Sequence, residues 1–94
     1  MTDNATTPQI SQADHDALRA LADAGDEKAL DRLADLAHAR NDVAELNELL
    51  DEGSELAGEH LAARAVAARD LGELQRLADE GIDDAEQALN DLLQ

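Results

Sequence analysis

The chain has 94 residues, no cysteine, no Phe, Tyr or Trp, and 23 acidic against 7 basic side chains, for a formal net charge of −16. A disulfide framework and thiol chemistry are therefore excluded. Direct contact with a phosphate backbone, which needs Lys and Arg to displace counterions, is disfavoured, as is binding to an anionic membrane.

No apolar run reaches the roughly 20 residues that span a bilayer. The segment Met1 to Ile10 lacks the charged and apolar regions of a secretory signal, so a cytoplasmic protein is expected. The apolar content of 44% is nearly all Ala and Leu; only Ile10, Val43, Val66 and Ile82 are β-branched among the apolar residues. Ala and Leu favour helices, whereas sheets draw on β-branched and aromatic side chains, so the expected fold class is all-α.

Residues 1–10 are polar, aperiodic and contain the single proline. They are expected to form a disordered tail ahead of a helical domain over 11–94. Ser11 or Asp14 can cap a first helix whose apolar stripe is Ala17, Leu18, Leu21 and Ala22. Gly25 should end that helix in the left-handed conformation.

The sequence Leu21-Ala22-Asp23-Ala24-Gly25 then recurs as Leu49-Leu50-Asp51-Glu52-Gly53 and as Leu77-Ala78-Asp79-Glu80-Gly81, at a constant period of 28 residues. A fixed period of this length marks a repeat array. In the first full repeat, 26–53, Asp26 caps a helix facing inward through Ala29, Leu30, Leu33, Leu36 and Ala37. That helix should stop near Arg40-Asn41. Asp42 with Glu45 forms the next capping box, Val43, Leu46, Leu49 and Leu50 face the core, and Gly53 closes the unit.

The second repeat, 54–81, follows the same plan: Ser54 caps, Ala57, Leu61, Ala65 and Ala68 face inward, and Asp70 with Glu73 opens a helix buried through Leu71, Leu74, Leu77 and Ala78. The two repeats agree at 13 of 28 positions, and the shared positions are caps, core and terminator. Residues 82–94 form the first half of a third repeat, with Asp83 as the expected cap and Ala85, Leu89 and Leu92 on the positions of Ala29, Leu33 and Leu36, and the half-repeat 11–25 stands at the other end. This predicts about six helices in a short α-solenoid of antiparallel pairs. The helix at 54–68 is apolar over most of its circumference and should be surrounded on several sides.

Candidate chemistry is sparse. His15, His38 and His60 are too far apart in sequence to form the tight pair of a structural zinc site. The acidic pairs Asp51-Glu52, Asp79-Glu80 and Asp83-Asp84 lack the ligand spacing of a helix–loop–helix calcium site. Ser11 and Ser54 occupy capping positions and the glycines form no phosphate loop. No catalytic, metal-binding or cofactor-binding residue is assigned, and no enzyme activity is expected.

The segments 18–26 (Leu-Arg-Ala-Leu-Ala-Asp-Ala-Gly-Asp), 33–42 (Leu-Ala-Asp-Leu-Ala-His-Ala-Arg-Asn-Asp) and 74–81 (Leu-Gln-Arg-Leu-Ala-Asp-Glu-Gly) resemble short helical repeats of actinobacterial proteins. Such repeats are grouped loosely with tetratricopeptide and Sel1-like α-solenoids. The resemblance covers residues 14–94, with a period shorter than the tetratricopeptide's about 34 residues and without its Trp, Tyr, Phe and Pro positions. It implies a scaffold role and a surface formed by the first helix of each pair, which would place Asp31, Arg32, Asp35, Glu59 and His60 against a partner.

The functional expectation is a non-enzymatic protein–protein interaction module whose acidity suits a basic protein or peptide. Two alternatives stand beside it. One is a self-associating structural protein, with the terminal half-repeats pairing between copies; the other is an acidic nucleic-acid mimic acting on a DNA-binding protein. The same acidity would also serve solubility in a high-salt cytoplasm.

Overall fold

The computed structural model describes residues 12–94, and over them the chain forms six helices and no strand: α1 (Gln12–Asp23), α2 (Glu27–Ala39), α3 (Val43–Asp51), α4 (Glu55–Ala68), α5 (Leu71–Asp79) and α6 (Asp83–Leu92). The all-α class and the helix number agree with expectation. The tail at residues 1–10 and the cap at Ser11 lie outside the described residues.

All five junctions use one device. At the end of α3 the Ser54 N–H donates to the Leu49 carbonyl at 2.9 Å and the Gly53 N–H donates to that of Leu50 at 3.0 Å, the double closure of a Schellman motif. The same pair of bonds recurs at Gly25, Asn41, Arg69 and Gly81. Each of these five residues has positive φ: 101° at Gly25, 60° at Asn41, 106° at Gly53, 53° at Arg69 and 93° at Gly81. Residues 41 and 69 are register partners, so the repeat preserves the left-handed turn even where arginine must adopt it.

Four N-caps form as predicted. Asp26 accepts from Lys28 N and Ala29 N, Asp42 from Glu45 N, Ser54 from Ala57 N and Asp70 from Glu73 N. The reciprocal half of the capping boxes is not used, because the Asp42 and Asp70 N–H groups already donate to the Ala37 and Ala65 carbonyls; the Glu45 and Glu73 side chains turn to cations instead. Two expected caps differ. Asp14 lies in the first turn of α1, since that helix starts at Gln12. Asp83 is the first residue of α6, and the capping position belongs to Ile82, which makes no side-chain cap bond.

Ile82 holds that position by packing. A methyl group added at Gly58 would collide with Ile82 Cδ1 and lie 3.2 Å from Leu50 Cδ1, so the Ile82 side chain fills the space left by the missing Cβ. One repeat earlier the corresponding residues are Leu30 and Ser54. The large and small partners have exchanged places.

Every helix packs on its sequence neighbours. In addition α2 packs on α4, and α4 on α6. The even helices thus form a continuous row, while α1, α3 and α5 form a second layer whose backbones do not approach one another. The Cα envelope of 50 × 32 × 17 Å fits two helical layers. Leu33, Leu46, Leu49, Leu74 and Leu77 are fully buried between them, with small Ala34, Ala37 and Ala57 letting the even helices close up.

Helix α4 touches α2, α3, α5 and α6, which agrees with its apolar circumference. Its last turn is an exception: Val66 is 40% exposed, and Ala67 and Ala68 are also exposed. Several other expected core residues are displaced to the surface. Ala17, Leu21, Val43 and Leu71 are exposed, Leu21 because among the described residues no helix precedes α1; Val43 and Leu71 are each the first residue of their helices, and Val43 borders the gap between α3 and α5.

Candidate functional site

The five residues singled out in sequence sit on the even layer, α2 and α4, and four of them divide into two settings. Asp35 and His60 are joined directly: His60 Nε2 lies 2.9 Å from Asp35 Oδ1. The His60 ring stacks on His38 with centroids 4.1 Å apart and planes 9° from parallel. Arg64 Nη1 lies 3.2 Å from His38 Nδ1, and its Nη2 donates to Asn41 Oδ1 at 3.0 Å. A guanidinium has only donors, so His38 accepts as a neutral ring protonated on Nε2. Burial, then the neighbouring His60 and Arg64, push the His38 pKa below its usual value.

Asp31 and Glu59 lie instead along the edge where the even helices begin. Asp31 shares a hollow with Asp26, Glu27, Glu52 and Glu55. Glu59 shares the next one with Glu55, Asp83 and Asp84. Glu55 belongs to both, so the carboxylates form one acidic edge across three helix N-termini. Among the described residues Glu52 is the one member in an ion pair, with Arg19. Arg32 is exposed and joins neither group.

The overlay of the repeats also contains a feature that sequence reading passed over. Between α1 and α3 the gap in the odd layer is bridged by side chains. The Glu45 carboxylate is held by His15 Nε2 at 2.9 Å and Arg40 Nη2 at 2.7 Å, and Arg19 makes two bonds of 2.9 and 3.0 Å to Glu52. Those bonds raise the Arg19 pKa above its ordinary value. Between α3 and α5, Val43 replaces His15, Ala68 replaces Arg40 and Asn47 replaces Arg19, whereas Asp70, Glu73 and Glu80 repeat Asp42, Glu45 and Glu52. There the bridge comes from α5: Arg76 holds Glu73 and Glu80 and donates to Asn47 Oδ1 at 2.8 Å, beside a groove of about 630 Å³ floored by α4. The signal was present as mismatches in the overlay, but only the layering shows that positions 15, 40 and 45 share one gap.

Among the described residues no group of three or more His, Cys, Asp or Glu is arranged to hold a metal ion, and no helix is long and apolar enough to cross a membrane. No protein family, curated protein or solved structure matches the chain.

Proposed function

We propose that the protein is a non-enzymatic interaction module, a short acidic α-solenoid that binds a basic protein or peptide. The observation that carries this reading is the acidic edge from Asp26 to Asp84, where carboxylates of the three even helices line two adjoining hollows with a single arginine in salt-bridge range. Carboxylates aligned this way set up a field that speeds encounter with a cationic partner and disfavours anionic ones. The flat two-layer architecture supports it, because stacked helix pairs offer an extended surface without needing a deep pocket. Reversing charge at Asp31, Asp35 and Glu59 with lysine should abolish capture of a basic partner at low salt. Retention of that partner by the triple variant, with unchanged salt dependence, would remove the proposal.

A second reading, self-association through the ends, has its own observation. Leu93 is 68% exposed and Leu21 is 49% exposed, yet the residues at the same register in other repeats (Ala37 and Ala65; Leu49 and Leu77) are buried. Light scattering at high protein concentration tests it, and a strict monomer contradicts it.

A further inference from the structure

We infer that His38, His60 and Arg64 form an acid-released latch that ties α4 to the turn between α2 and α3. The latch is a property of the fold and holds whatever partner the protein binds. Its parts come from two repeats. Asp35 and His38 lie on α2, Asn41 lies in the turn that ends it, and His60 and Arg64 lie on α4. The two imidazole rings are stacked face to face, 4.1 Å between centroids and 9° from parallel. Arg64 fastens this stack to the turn: its Nη1 lies 3.2 Å from His38 Nδ1, and its Nη2 donates to Asn41 Oδ1 at 3.0 Å. Asn41 is the residue that adopts the left-handed conformation there, with φ 60°.

A proton on His38 Nδ1 undoes this arrangement. The ring accepts from Arg64 only while it is neutral, because an imidazolium offers two donors and a guanidinium offers nothing else. Once His38 is charged, two donors and two like charges face each other in a half-buried setting, where repulsion is less screened than at the open surface. Asp35 is the counter-charge at hand, but it is engaged with His60 Nε2 at 2.9 Å. A carboxylate only accepts, so that nitrogen carries its proton whether His60 is neutral or charged. Burial, then His60 and Arg64, hold the His38 pKa down, and Asp35 opposes them. The other helices packed on α2 are α1 and α3. Their His15, Arg19, Glu45 and Glu52 pair with one another and do not contribute at His38. On its other side Arg64 lines the groove between α3 and α5 with Asp51, Asp70 and Glu73, carboxylates that favour its departure from His38. The latch is closed at neutral pH and opens as pH falls below about 6.5 toward the lower folded-state value of His38. Opening frees the turn at Asn41 and rearranges one wall of that groove.

The test is an NMR titration of the isotope-labelled full chain from neutral to mildly acidic pH at constant salt, following the His38 ring, the Arg64 guanidinium and the Asn41 side-chain amide. All three should move with one midpoint, below about 6.5. Arg64→Gln removes the facing charge and should raise the His38 midpoint. His38→Gln keeps an acceptor for Arg64 that does not titrate, and should leave the Arg64 and Asn41 signals unresponsive over the same range. Arg64 and Asn41 signals that follow the His60 ring in place of His38 would overturn the proposal, as would a His38 midpoint unmoved by Arg64→Gln.

Discussion

At the scale of single residues, the repeat places unlike side chains in equivalent surroundings, and each mismatch has a measurable consequence. Arg69 has φ 53° at the register of Asn41. A left-handed L-residue costs about 1–2 kcal/mol, so Arg69→Gly should raise stability by about 1 kcal/mol in denaturant unfolding, and a loss of stability would refute the account of that turn. Gly58→Ala gains about 1 kcal/mol of helix propensity but drives a methyl into Ile82, an overpacking cost of typically about 1–3 kcal/mol. The net effect should be destabilising. Adding Ile82→Ser, which restores the small partner found at position 54, should recover stability relative to the sum of the single changes; strict additivity would show that the two residues do not compete for space.

His38 gives a pH dependence whose sign follows from its environment. Burial beside His60 and Arg64 depresses its folded-state pKa, so the unfolded chain binds the proton more tightly. The contribution to stability is complete above the unfolded value of about 6.5 and is lost as pH falls below it toward the folded value. His38→Gln should flatten this part of the stability profile between neutral and mildly acidic pH. An unchanged profile would place the slope elsewhere.

At the scale of elements, what decides burial is a helix's place in the array. Leu21, Leu49 and Leu77 are the same residue at the same register, but only the latter two are enclosed, each by a preceding even helix. Leu49→Ala and Leu77→Ala should each cost about 2–5 kcal/mol, and Leu21→Ala well under half as much; equal losses at the three positions would contradict the layering. This also marks how far the sequence could be read. Helix number, glycine terminators and the four Asp or Ser caps follow from local chemistry, so Asp26, Asp42, Ser54, Asp70, Gly25, Gly53 and Gly81 were legible. Ile82 was not, because its role depends on a gap at Gly58 in another helix. The exposure of Leu21 and Val43 was not, because periodicity reports a face and says nothing of whether a neighbour covers it. Of the candidate surface, the link between Asp35 and His60 was foreshadowed by their placement on successive even helices. The difference between the two odd-layer grooves needed the spatial meeting of residues 15, 40 and 45.

For the molecule as a whole, charge dominates. The ion pairs are clustered on Arg19, Arg40 and Arg76, with His15 and His60 as further partners, while the net charge is −16. Exposed pairs contribute only about 0.2–1 kcal/mol each, so mutual repulsion of the surplus carboxylates outweighs them at low ionic strength. The melting temperature should therefore rise on going from low salt to physiological salt. A flat or falling response would mean that the acidic edge is better dispersed than its geometry indicates.

The same surplus is what a cationic partner would meet first. The proposed binding is checked by calorimetric titration of a lysine- and arginine-rich peptide into the full chain across a salt series, beside the variant carrying Asp31→Lys, Asp35→Lys and Glu59→Lys. Binding to the unaltered chain should be saturable, weaken steeply with salt and be lost in the variant. Equal affinity for both chains, or no binding at low salt, would contradict it.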